Sequence, residues 1–365
     1  MNLLKKSSKK ENGVNGYEIL LKICISIFFA LVFLLIFFLG NGPTLFSESV
    51  YVKTNGLDME VHVLDVGLGD CMLIKLPNNK TMLIDTGEGD HYSKVKAYLT
   101  QYFKHKNLNQ IDYFVLSHPD ADHIGGASEI FKDFEVKTLY RPKIYCKWEE
   151  ETSKTSLPYT TIESETYNDC IKASYEEGCT QIFSEKGLEI SEYGFKIEFL
   201  SPEDDTYTAT NDYSVVLMLT YQSKKFLFTG DATSNIEQQL IDNFGDYLKA
   251  DVLKIAHHGS STSSTEEFLD IVSPTCAILS VGEGNKALPN VDVINRYNDR
   301  NIKIYSTESL GNFALTVEGG QIVMTKQPVM LSSLPLIFAL TLLIICVIWT
   351  INFDKKSNHT KKDIN

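Results

Sequence analysis

The sequence predicts an α/β domain, its sheets covered by helices, carried between two membrane-spanning segments. Three observations carry that prediction. Short β-rich runs joined by tight turns alternate with helical periods, so hairpins and crossover connections share one domain and a purely parallel sheet is excluded. Two long uncharged runs lie near the ends, each long enough for a hydrocarbon core of ~30 Å, which takes about 20 helical residues. The charge divides in the same way: residues 1–44 and 326–365 hold 10 Lys+Arg against 4 acids, whereas 45–325 hold 24 against 43. With 43% apolar and 22% charged residues in 365, a disordered or fibrous chain is excluded.

Ile23 to Leu39 is uncharged over 17 residues, and 21 are reached by starting at Ile19 and including Lys22. A cleaved signal peptide is the competing reading. Its apolar stretch would be ~7–15 residues long and end in a small-residue cleavage site, which residues 40–49 lack. Val329 to Phe353 is a second uncharged run, of 25 residues. Lys5, Lys6, Lys9 and Lys10 precede the first run, and Lys355, Lys356, Lys361 and Lys362 follow the second. Positive charge stays inside. Residues 1–18 and 354–365 are therefore expected to be basic cytoplasmic tails, 19–40 and 329–353 transmembrane helices, and 45–325 an extracellular domain of a multi-pass cell-membrane protein.

A domain with a net charge of −19 repels phosphate backbones at long range and has no basic patch to serve as a nucleic-acid footprint. Any action on a polyanion then requires bound cations. Five of the seven cysteines lie between the apolar runs, an odd number without a C-x-x-C, which is neither a disulfide framework nor a zinc-finger pattern.

Within the domain, Met59–Val66, Cys71–Leu76 and Thr81–Ile84 read as strands separated by Gly67-Leu68-Gly69-Asp70 and the turn Pro77-Asn78-Asn79-Lys80. Tyr92–Lys104 reads as a helix, Ile111–Leu116 as a buried strand and Ile124–Phe131 as helical. Residues 141–185, rich in Glu, Ser and Thr from 148 on, read as an exposed insertion with one helix. Strands are expected at Gly187–Leu200, Ser214–Tyr221, Lys225–Phe228, Asp251–Ala256, Cys276–Val281, Lys303–Tyr305 and Phe313–Val317. Helices are expected at Asn235–Phe244, Ser264–Ile271 and Val291–Asn298.

Chemistry concentrates where strands end. Ser117-His118-Pro119-Asp120-Ala121-Asp122-His123 places four candidate ligands, His118, Asp120, Asp122 and His123, within six residues directly after an apolar strand. Imidazole with carboxylate suits zinc, manganese or iron. Phe228-Thr229-Gly230-Asp231 delivers a carboxylate at another strand end, and His257-His258-Gly259-Ser260 a histidine pair at a third. Asp65, Asp70 and Asp85 lie at further strand ends, where they are either solvated turn residues or groups that orient the ligands.

The ordered set DVGLGD (65–70), DTG (85–87), SHPDADHIGG (117–126), NDYSVVL (211–217), FTGDA (228–232) and HHGS (257–260) resembles the metallo-β-lactamase superfamily. Within it, the set is similar to the extracellular hydrolase domain of ComEC-type DNA-uptake proteins, over about residues 58–318. The resemblance implies an αββα sandwich with two divalent metal ions, zinc or manganese, on the rim where strand ends meet. His118 and Asp120 would serve one ion, Asp122 and His123 the other, and Asp231 would bridge them. The His257/His258 pair would complete the second site, with His257 as the ligand and His258 either facing substrate or orienting the ligands. A bound divalent cation lowers the pKa of its water from about 15.7 to about 7. Asp122 would then accept the proton, and His258, Asn211, Ser214, Ser260 or Ser261 would donate to substrate or leaving group.

Three positions depart from the family pattern. No residue replaces the histidine that usually completes the first site, only Asn211, Asp212 and Ser214 lying in that part of the chain. Leu288 precedes Pro289 where the relatives carry histidine, and Leu68 replaces glutamine. The expected function is an outward-facing, metal-dependent phosphodiesterase acting on nucleic acid or an envelope phosphodiester. The alternative is a catalytically weak binding or assembly subunit of a membrane complex. Two spans do not replace a polytopic channel, so either reading allows a separate membrane channel partner.

Overall fold

A computed structural model describes residues 58–326, apart from 193, 205, 283 and 284. The two expected membrane spans and the basic tails lie outside the described residues, among which no helix is long and apolar enough to cross a membrane.

The first half runs β1 (Met59–Val63), β2 (Met72–Lys75), β3 (Thr81–Ile84), α1 (Tyr92–Lys106), β4 (Gln110–Val115), α2 (Ala121–Ile124), α3 (Ala127–Asp133) and β5 (Glu135–Arg141). It continues with β6 (Tyr145–Cys146), α4 (Lys147–Thr152), β7 (Thr161–Ile162), α5 (Glu165–Glu177) and β8 (Thr180–Phe183). The second half holds β9 (Glu189–Glu192), β10 (Phe195–Ser201), β11 (Val216–Tyr221), β12 (Lys224–Phe228), α6 (Ser234–Phe244), β13 (Val252–Lys254) and α7 (Glu266–Val272). It ends with β14 (Cys276–Leu279), α8 (Val291–Asp299), β15 (Lys303–Ser306), α9 (Thr307–Leu310), β16 (Phe313–Glu318) and β17 (Gln321–Lys326).

The strands form an eight-stranded sheet, β17-β16-β1-β2-β3-β4-β5-β8, and a seven-stranded sheet, β15-β14-β13-β12-β11-β10-β9. Val61, Ile74 and Val115 of the first meet Ile197, Leu217 and Phe226 of the second in a central core. Helices cover both outer faces, α1, α3 and α5 on one and α6, α7 and α8 on the other. The result is the expected αββα arrangement. Because each sheet lies between a helix layer and its partner sheet, β1, β2 and β3 are buried at every position. In β1 this buries even the alternating Glu60 and His62, and His62 hydrogen-bonds Glu60 (3.0 Å) and the Tyr98 hydroxyl (2.7 Å).

The helices follow their own chemistry. Val95, Tyr98, Leu99, Tyr102 and Phe103 place one apolar stripe of α1 on the sheet. Thr233, Thr265 and Asn290 cap α6, α7 and α8, each side chain accepting from a first-turn amide.

Residues 141–185 are an exposed insertion only in part: none of 150–166 is buried, but the flanking stretches are built into the fold. Helix α5 buries Tyr167, Cys170, Ile171 and Ser174, and β8 extends the large sheet by pairing parallel to β5. Arg141 ties the segment down from within, its guanidinium bonding both carboxylate oxygens of Glu149 (2.5 and 3.0 Å) and the Tyr167 hydroxyl (3.1 Å). The 167/170/171/174 spacing is a helical stripe that the polar composition around it obscures. Strand β5 and the half-exposed edge strand β17 were also not anticipated.

One row of the large sheet positions everything that follows. Lys326 pairs with Phe313, Phe313 with Val63, Val63 with Met72, Met72 with Ile84 and Ile84 with Val115. Immediately beyond this row come Asp70, Asp85 and Ser117-His118.

Candidate metal centre

Parallel strands deliver the cluster. His118 follows β4, Asp231 follows β12, and His257 and His258 follow β13, all at one end of the sandwich. Asp120 precedes α2, its side chain bonding none of the helix amides, and the first turn of α2 carries Asp122. Both His257 and His258 lie in the left-handed region (φ 49° and 51°), so two consecutive side chains leave the same strand end in different directions, their ring centroids 6.5 Å apart.

Asp122, His123, Asp231 and His258 present ligand atoms within 4.8 Å of one another. The two oxygens of Asp231 divide the neighbours. Its Oδ1 lies 3.1 Å from His123 Nε2 and 3.6 Å from His258 Nε2, while Oδ2 lies 3.9 Å from His118 Nε2 and 3.7 Å from His257 Nε2. Asp122 Oδ2 is 3.4 Å from His258 Nε2, and Asp120 Oδ2 is 3.7 Å from His118 Nε2. At the second position the geometry thus sets His258, rather than the expected His257, beside Asp122, His123 and Asp231. His258, fully buried, joins Asp122 and His123, whereas the partly exposed His257 turns towards the His118 side and offers the third donor that the sequence lacked there. The backbone conformation that splits the pair is not visible in a His-His dipeptide.

Hydrogen bonds on the far side of each ring decide which nitrogen is free. His258 Nδ1 donates to the Ser280 carbonyl (2.8 Å), an acceptor only. His123 Nδ1 donates to Asp85 Oδ2 (2.8 Å). Ser117 Oγ gives its proton to Asp85 (2.5 Å), so it accepts from His118 Nδ1 (3.0 Å). All three rings thus turn Nε2 inward, and His118 Nε2, fully buried, has no hydrogen-bond partner. The His123 and His258 Nε2 atoms lie 3.1 Å apart. Converging imidazole nitrogens beside three carboxylates fit divalent cations.

The electrostatics point the same way. Burial works against a charged His123, yet Asp231 and Asp85 hold its pKa well above the imidazole range. Burial would raise Asp231, but His123 and His258 hold it well below the carboxylate range, and Asp122 is lowered to about 2. The site attracts positive charge strongly enough to protonate a buried ring, and a cation competes for that same lone pair.

Other anticipated residues take supporting places. Ser214 Oγ accepts from the Asp231 amide (3.1 Å) and Asn211 Nδ2 lies 3.3 Å from His257 Nδ1. Asp85 adopts φ 55° and also accepts from the Ser117 amide. Ser260 hydrogen-bonds Thr262, whose hydroxyl contacts His257 Nδ1 at 3.1 Å, and Ser261 is exposed. Asp212 turns away to Thr233, and Asp65 to the Gly67 amide outside the cluster. Gly69 (φ 125°) has a structural reason: a Cβ there would lie 1.9 Å from the Asp122 carbonyl oxygen. Only glycine lets this loop press against the ligand loop.

Lys254 was not anticipated. Fully buried, its ammonium lies 2.8 Å from Asp70 Oδ2 and donates to the Ile255 carbonyl (2.8 Å). Asp70 in turn sits 3.9 Å from His258 Nδ1 and 4.0 Å from His123 Nδ1, behind both rings. Its one sequence signal is a lysine inside the apolar run Val252–Ala256.

A helix-covered double sheet with His and Asp ligands on strand ends defines a class of metal-dependent hydrolases. The metallo-β-lactamase superfamily model matches residues 64–283, and the chain belongs to that superfamily. Its relatives include ComE operon protein 3 of Bacillus subtilis, 31% identical over 268 residues, which cover 69% of this chain and 32% of that protein. Recombination protein 2 of Haemophilus influenzae is 30% identical over 239 residues, covering 65% and 26%. The similarity is thus to ComEC-type competence proteins, and the chain spans about a third of their length. Among solved structures, the metallo-β-lactamase fold protein YhfI of Bacillus subtilis aligns with 73% of this chain and 100% of its own, at 14% identity and a TM-score of 0.42.

Proposed function

We propose that the chain is a membrane-anchored, outward-facing phosphodiesterase using two divalent cations, zinc or manganese. The observation that carries this reading is the division of Asp231, one oxygen towards His123 and His258 and the other towards His118 and His257. Asp122 completes the first of these groups and Asp120 the second. Two cations there would supply a nucleophile from water at neutral pH and positive charge for the anionic group under attack.

The protein's own residues supply the rest. Asp122, partly exposed beside His258, is placed to take a proton from the attacking water. Asn211 and Thr262 hold His257, and the exposed hydroxyl of Ser261 is free to donate towards substrate. The cations offset the acidic field locally, which admits a phosphodiester. The names of the relatives, a competence protein and a recombination protein among them, favour nucleic acid over an envelope polymer. The binding-subunit alternative rested on an incomplete first site and on Leu288; His257 beside Asp231 weighs against the first, and Leu288 still speaks for it.

The test uses full-length protein in detergent with manganese or zinc, offered single-stranded DNA, RNA and an envelope phosphodiester polymer. Cleavage of DNA or RNA that stops on chelation and returns with added metal is expected. Two bound ions with none of the three cleaved would replace the enzyme by the binding subunit. The anchoring is checked separately. Protease added to intact cells should cut within 45–325, and protection of that domain would contradict the topology.

A further inference from the structure

The end of the sandwich that carries the metal cluster is also the end from which the chain leaves the domain. The paired row from Lys326 through Phe313, Val63, Met72 and Ile84 to Val115 puts the last residue of β17 level with the strand ends that deliver Asp85 and His118. We propose that this end faces the bilayer, so that the metal cluster opens towards the membrane surface. The inference rests on the anchoring proposed above.

The argument is one of reach. Only Gln327 and Pro328 separate Lys326 from the uncharged run that begins at Val329. Three Cα–Cα steps of 3.8 Å extend at most about 11 Å. Strand β17 itself, at ~3.4 Å per residue, spans about 17 Å from Gln321 to Lys326. If the opposite end of the sheets rested on the membrane, the chain would have to return at least those ~17 Å and draw three or more residues out of the second uncharged run, whereas the metal end needs none. Residues 41–57, ahead of β1, extend to roughly 60 Å and impose no such limit.

The same register gives the lateral position. Strands β3 and β4 are four and five places from β17. At ~4.8 Å per strand, Asp85 and His118 lie roughly 19 and 24 Å from the anchor point along the sheet. Lys326 and Lys286 are exposed at this end, where an anionic headgroup layer would meet them. Exposed Glu88 and Asp90 share the rim.

Fluorophores at single introduced cysteines test this in full-length protein reconstituted into phosphatidylcholine vesicles that contain a headgroup-nitroxide lipid. Cys71, Cys146, Cys170 and Cys276 are buried; Cys24, Cys179 and Cys346 would be replaced by alanine. Lys286→Cys reports the metal end, Asn79→Cys the opposite end and Val323→Cys the β17 edge, all at exposed positions. Nitroxide quenching several-fold stronger at position 286 than at 79, and stronger than at 323, is expected. Equal or stronger quenching at 79 overturns the proposal, and strongest quenching at 323 overturns it in favour of a domain lying on its edge. If the protein does not float with the vesicles, the anchoring itself has failed and the proposal falls with it, which flotation reveals before any quenching is read.

Discussion

Asp231→Ala is expected to lose both metal ions and all hydrolysis while keeping its fold. The side chain stands between the two ligand groups, with Oδ1 3.1 Å from His123 and Oδ2 3.7 Å from His257. Two doubly charged ions held ~4 Å apart would repel by on the order of 16 kcal/mol at an effective dielectric of 20, and Asp231 would be the carboxylate placed to offset both. No other carboxylate among the described residues lies between the two groups. Elemental analysis of the purified variant should find less than one ion per chain, with far-ultraviolet circular dichroism unchanged. Two retained ions would show that Asp231 is not the bridge.

Lys254→Met should give the largest loss of stability. It leaves Asp70 ionised and fully buried with its cation gone, a change that costs about 3–5 kcal/mol. For a domain of this size that is a fall in Tm of roughly 6–20 °C. The double variant Lys254→Met/Asp70→Leu removes the stranded charge and should recover most of the loss, but not metal affinity, because the carboxylate behind His123 and His258 is then absent.

The pH dependence has a definite sign. Burial would raise the pKa of Asp70, yet Lys254 and the neighbouring histidines lower it. The pair's stabilisation is therefore present above the unfolded carboxylate pKa of about 3.9 and is lost as pH falls through the lower folded value. In Lys254→Met the carboxyl takes a proton more readily, so the stability gap between variant and wild type should narrow in acid. Thermal melts from pH 7 to 4 check this; a Lys254→Met melting point within about 2 °C of wild type at pH 7 would mean that the pair contributes little.

What the sequence made legible follows from where the information lies. His118, Asp120, Asp122 and His123 are local, within six residues after an apolar strand, and the hairpin and crossover pattern implied sheets covered by helices. The separation of His257 from His258 depends on two left-handed residues, and the Lys254–Asp70 pair joins positions 184 residues apart in the chain. Neither leaves a local pattern. The burial of helix α5, not its presence, was obscured for another reason: its buried stripe Tyr167, Cys170, Ile171 and Ser174 is short and set among glutamates and serines, so composition outweighed period.

The central claim is that one cluster holds two cations on which hydrolysis depends. Equilibrium dialysis of metal-stripped full-length protein against increasing manganese, with hydrolysis of bis(p-nitrophenyl) phosphate followed in the same samples, tests it most directly. Binding should saturate at two ions per chain, with activity rising as the second ion enters. Saturation at one ion or none, or hydrolysis that proceeds unchanged in the stripped protein, would contradict it.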